Sequence, residues 1–153
     1  MRRIDVVFVM SNTSHLVAAS LAMVLLVFAV GARLLYVRIQ EMRLRRVHPQ
    51  AIATSRQAAT RLENIQAADN FRNLFEVPVL FYTLLAVAIG TNHAPSWLVV
   101  GAWSYVALRV VHSVIHCTYN KVTHRFAVFG SSFVLLVGLW VVFFFTLPGR
   151  GTA

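Results

Sequence analysis

Long apolar runs alternate along this chain with short polar blocks that are mostly basic. Between Asp5 and Arg33 there is no Asp, Glu, Lys or Arg, and roughly 20 apolar residues suffice to cross the hydrocarbon core of a bilayer. The run predicts a first membrane span at 14–36. Ala18-Ala19-Ser20 has the small residues of a cleavage site, but the apolar run continues from Leu21 to Val30, longer than a cleaved leader needs. An uncleaved span is expected. Arg38 to Arg72 forms the one long polar connection, and His48-Pro49-Gln50 should break any helix that extends into it. From Thr54 the composition turns to good helix formers, which predicts that the second helix starts well before its apolar part. That apolar part gives a second span at 73–89, with Pro78 as a kink. Gly90 to Pro95 is a short uncharged turn that ties it to a third span at 96–118. After the basic block Tyr119 to Arg125, a fourth span is expected at 126–147, ended by Pro148-Gly149-Arg150.

Composition agrees. Of 153 residues, 58% are hydrophobic and 12% charged, and the mean hydropathy is +0.68, values outside the range of an ordinary soluble domain. The expected fold class is all-α, a single four-span integral membrane domain over 1–153 folded as a four-helix bundle. A net charge of +9 could point to nucleic acid, but the basic residues fall in blocks between apolar runs and make no single binding face, so no nucleic-acid partner is expected. Cytoplasmic flanks explain the blocks better. The long connection holds Arg38, Arg43, Arg45, Arg46, Arg56, Arg61 and Arg72 against Glu41, Glu63 and Asp69. By the positive-inside rule, 37–72 and 119–125 are expected on the cytoplasmic side and both termini on the periplasmic side of a bacterial inner membrane; Arg2, Arg3 and Arg150 run against that count but are outnumbered. A single cysteine, Cys117, excludes an internal disulfide framework and is read as a buried apolar filler.

Three places carry candidate chemistry. Arg72, Asn73 and Glu76 stand where charge enters the second span, Arg72 and Glu76 on one helix face with Asn73 beside them, and Val77 to Ile89 is free of charge. Ionisable groups at such a depth are functional by default, the plain alternative being an interfacial ion pair that ends the span. On the third span Arg109, His112 and His116 form one stripe, which Tyr105 extends by a turn. A small bundle hides such groups poorly, so the stripe should face the bundle centre or a neighbouring subunit. The two histidines have metal-ligand spacing, yet lack the glutamate of a zinc-binding pair, and interhelical hydrogen bonding is the expected reading, with no metal. A small transporter lined by this stripe is a third class of reading, unsupported by any broken-helix repeat. Arg125 opens the fourth span, where it is either an anchor at the interface or a fixed cation for chemistry.

Taken together, Arg72-Asn73-x-x-Glu76 entering a second span, Arg109-x-x-His112-x-x-x-His116 on a third and Arg125 at the start of a fourth resemble the MAPEG family, the membrane-associated proteins of eicosanoid and glutathione metabolism. The resemblance covers nearly the whole chain and implies a homotrimer that binds glutathione, as cosubstrate, between subunits near the cytoplasmic face. It implies that Arg72, Asn73 and Glu76 hold the tripeptide, Glu76 its ammonium and Arg72 a carboxylate, with Arg43 on the first helix and Arg109, His112 and His116 on the third contributing. Arg125 resembles the arginine placed near the thiol and is the candidate catalytic residue. The implied activity is that of a glutathione transferase or peroxidase acting on lipophilic electrophiles drawn from the bilayer. Two departures stand out: His116 replaces a tyrosine, and Phe126 and Phe129 stand where other members carry a serine or tyrosine. They keep open a non-catalytic lipid-binding or scaffold protein on the same fold.

Overall fold

The computed structural model describes residues 2–148, with side chains from residue 12 onward. The side chains of Arg2 and Arg3, and Arg150, lie outside the described residues. Among the described residues the chain is entirely helical, with α1 at Arg2–Arg45, α2 at Ser55–Arg61, α3 at Gln66–Glu76, α4 at Pro78–Gly90, α5 at Ser96–Cys117 and α6 at Val122–Thr146; a 3-10 turn, Pro49–Ile52, precedes α2. Four helical stretches, Asn12–Arg45, Gln66–Gly90, Ser96–Cys117 and Val122–Thr146, are long and apolar enough to cross a membrane.

α1 is longer than the expected first span. At 1.5 Å per residue it runs on the order of 66 Å, about twice the hydrocarbon thickness, so its charged last turns project beyond the core. It ends at Arg45, before Pro49, where Arg46 takes a left-handed backbone (φ 53°) and the Val47 N–H reaches back to the Met42 carbonyl at 3.0 Å, a geometry that closes helix C-termini. The polar connection has structure of its own. Thr54 caps α2 in a reciprocal pair with Gln57, and Ile52, Ala58 and Leu62 bury against Met42 and Val47. Glu41 is buried there: its carboxylate accepts the backbone N–H groups of Glu63 (2.6 Å) and Asn64 (3.2 Å) and pairs with Arg45, which also meets Glu63. A residue countable from sequence only as a loop charge thus pins the entry to α3 onto α1. The helix expected from Thr54 does start there but is interrupted after Arg61, and Pro78 separates α3 from α4 at the single residue Val77.

α5 is the central element, packed against α1, α3 and α6. α5 is about half buried along its apolar length, against 22% for α1 and α6, whose remaining faces are uncovered within the single chain. In a bilayer, apolar contact alone drives little association, so small residues that allow close approach decide the packing. Gly101 does so between α5 and α6: a Cβ there would run into Leu139 Cδ2. Gly31 plays the same part on α1, where an added Cβ would lie 3.1 Å from Phe71 Cε2. Tyr105 stacks on Phe81 with ring centroids 4.6 Å apart.

Polar bonds fix which ends meet. At one end the buried Asn12 amide donates to the Ala94 carbonyl in the α4–α5 turn (2.8 Å). At the other, Arg33 of α1 donates to the Cys117 carbonyl at the end of α5, and Asn70 of α3 reaches the Cys117 thiol (3.4 Å) and accepts from Ser113 (3.4 Å). The two basic connections therefore lie at one end of the bundle.

Candidate functional site

The stripe foreseen on α5 turns inward. Arg109, His112 and His116 are all buried, Arg109 completely, and they meet the first turns of α6 and the last turn of α3. Arg109 Nη2 donates to the Asn73 carbonyl at 2.9 Å, and its guanidinium carbon lies 5.5 Å from the centroid of the Phe129 ring, within reach of a cation–π attraction. Its Nε and Nη1 find no partner among the described residues. Glu76 and Tyr105 lie near enough to act on its charge, but no carboxylate is in ion-pair contact with it.

The two histidines clamp residue 125 from two sides. His112 Nδ1 lies 3.3 Å from the Arg125 carbonyl, which can only accept, so the imidazole carries its proton on Nδ1 and leaves Nε2 a bare acceptor. That Nε2 is buried and without a partner among the described residues. His116 Nε2 lies 3.3 Å from Arg125 Nη1; a guanidinium can only donate, so here Nε2 accepts. One nitrogen of each histidine thus bonds α5 to the start of α6, while His116 Nδ1, like His112 Nε2, is buried without a partner among the described residues.

A cavity of about 210 Å³ opens beside this cluster, lined by Asn73, His112, Val122, Arg125, Phe126 and Phe129. It is smaller than the roughly 300–1,000 Å³ usual for small-molecule sites, and it is open at the side. The end of α6 that borders it carries the positive pole of a 25-residue helix, so Arg125 and the backbone favour an anion at the same place.

Not every candidate reaches this cavity. Asn73 lines it, whereas Arg72 and Glu76, one turn apart on α3, are exposed and form no ion pair with each other or with any other described residue. Arg43 stands exposed in the last turn of α1, outside the cavity lining. Two participants escaped sequence reasoning. Asp69 of α3 lies near enough to act on His116, and Asn120, in the connection before α6, accepts from Arg125 Nη1 at 2.9 Å. A second, apolar groove of about 750 Å³ runs between α1 and the α3–α4 segment, bordered by Phe28, Gly31, Leu35, Phe71, Phe75 and Tyr82.

A family model described as "MAPEG family" matches residues 16–145. No curated protein and no solved structure matches the chain.

Proposed function

Because the chain belongs to the MAPEG family and its four apolar helices make it a multi-pass integral membrane protein, we propose that it binds glutathione at a site completed between subunits of a homotrimer. The observation that carries this reading is a half-built polar cavity. Among the described residues, Arg109 offers buried N–H groups with no acceptor, and His112 a buried nitrogen with no donor; buried polar atoms are otherwise almost always partnered. The cavity is too small for a whole tripeptide, and the adjoining face of α3 presents an unpaired guanidinium and carboxylate, Arg72 and Glu76, to whatever lies alongside. A zwitterionic ligand with carboxylates and an ammonium matches that set of charges.

In this reading Arg125 serves the thiol. A free thiol with a pKa of roughly 8.5 is mostly protonated at neutral pH, and the thiolate is the nucleophile. A fixed cation that lowers this by about one unit contributes about 1.4 kcal/mol to the charged form. The thiolate then attacks a lipophilic electrophile that enters from the bilayer, forming a thioether as the leaving group departs. With a hydroperoxide it attacks the outer oxygen instead, breaking the O–O bond to release an alcohol and leave a glutathione sulfenic acid that a second glutathione reduces to the disulfide and water. The test is a thiolate difference spectrum in the near ultraviolet on adding glutathione to the purified protein, together with calorimetric binding. Saturable binding with thiolate absorbance at neutral pH, lost in Arg125→Ala, is the expected result. No binding to the native protein would overturn the proposal.

One observation favours a second reading, a non-catalytic ligand-binding or scaffold protein. No hydroxyl of the described residues lines the cavity, since Phe126 and Phe129 occupy the α6 side. Glutathione binding without conjugation of a generic aromatic electrophile would select it.

A further inference from the structure

We propose that Asn120 is the positioning residue for Arg125: it closes α5 with its backbone and aims the guanidinium with its side chain. The inference rests on the reading of Arg125 as the thiol's cation. The geometry begins with the turn. The Asn120 N–H reaches back to the Ile115 carbonyl at 2.9 Å, and the residue itself takes φ 46°, a left-handed conformation that side chains other than glycine, asparagine and aspartate rarely adopt. Glycine alone would satisfy that turn.

What asparagine adds is an acceptor. Its Oδ1 lies 2.9 Å from Arg125 Nη1, and because a guanidinium only donates, the amide must present its oxygen there. The same Nη1 faces His116 Nε2 at 3.3 Å. Both hydrogens of one nitrogen are then engaged, one by the α5–α6 connection and one by α5. Arg125 Nε and Nη2 make no hydrogen bond among the described residues, while the side chain lines the cavity. Held by one nitrogen, the guanidinium keeps its other edge for an anion. A long arginine side chain left free would sample many rotamers, and immobilising it only on ligand binding costs entropy; a preorganised cation avoids that cost.

The experiment separates turn from acceptor with two variants of the full-length protein in detergent. Asn120→Gly keeps the left-handed turn and removes the oxygen, whereas Asn120→Ala removes the oxygen and strains the backbone. Nitrogen-15 NMR of labelled histidine reads the His116 ring without any ligand: in the native protein Nε2 is the unprotonated nitrogen. Asn120→Gly should lose this bias as Arg125→Ala does, with thermal stability close to native, while Asn120→Ala should lose both. With glutathione added, Asn120→Gly should bind it within about twofold of native but show a several-fold smaller thiolate signal at neutral pH. A His116 spectrum unchanged in Asn120→Gly overturns the proposal, whatever glutathione does. If the spectrum changes but the native protein binds no glutathione, Asn120 remains the holder of Arg125 and the assignment of the ligand is what falls.

Discussion

Two polar clusters flank the same end of α5, and they obey opposite rules. Toward α1 and α3, Asn70, Ser113, Cys117 and Arg33 close on one another: hydroxyl to amide oxygen, amide nitrogen to sulfur, guanidinium to the last carbonyl of the helix. Toward α6, Arg109, His112, His116 and Arg125 also interlock, yet Arg109 and His112 keep buried polar atoms with no partner among the described residues, beside a cavity. The first cluster borders a cavity too, of about 240 Å³ beside Arg33, Ser113 and Cys117, but among the described residues its buried polar atoms are all partnered, and it holds helices together. The second leaves buried polar atoms open, and on the proposed function these are what a ligand completes, so the difference between the clusters is where that proposal can be tested.

The sharpest way to break this comparison is Arg109→Met. If the open cluster were only structural, losing the bond to Asn73 would destabilise the bundle. Replacing a buried charge that has no counter-ion by an apolar side chain of similar volume removes a desolvation cost and is instead expected to leave stability unchanged or raise it, while glutathione affinity falls at least a hundredfold. Thermal unfolding in detergent and calorimetry on the same sample decide between the two. Asn70→Ala should do the reverse. Stranding the Ser113 hydroxyl is expected to cost about 1–3 kcal/mol, with glutathione affinity unchanged, and a matching loss of affinity would erase the distinction between the clusters.

A control lies between them. Gly101→Ala drives a methyl into Leu139 and should lower stability by about 1–3 kcal/mol through overpacking, leaving the thiolate signal of the surviving protein as it was. The smallest effect belongs to the exposed pair. Glu76→Gln or Arg72→Ala should weaken glutathione binding about tenfold, or about 1.4 kcal/mol, and leave the melting temperature within a degree or so. Both charges are solvent-facing within one protomer, so an effect on binding without one on stability would place the ligand across their face of α3.

Much of this was legible beforehand because it is local. Four apolar runs, the stripe Tyr105, Arg109, His112 and His116 at helical spacing, and the proline that divides α3 from α4 all follow from periodicity and from what a backbone tolerates. The connection after α1 was read only as a polar, basic block, because its order depends on Glu41 meeting backbone N–H groups 22 and 23 residues away. Asn120 carried no signal either: its role comes from a left-handed turn that no pattern announced, and from an arginine five residues on.

The amino-acid sequence by itself determined that this chain spans a membrane with four helices and that one of them carries cations and imidazoles on a single face. It also sufficed to identify the family. Only the tertiary structure decided which of those groups are satisfied and which are left open. Whether a run is apolar is a property of the residues in it, whereas whether a buried N–H has an acceptor depends on the helix that arrives beside it.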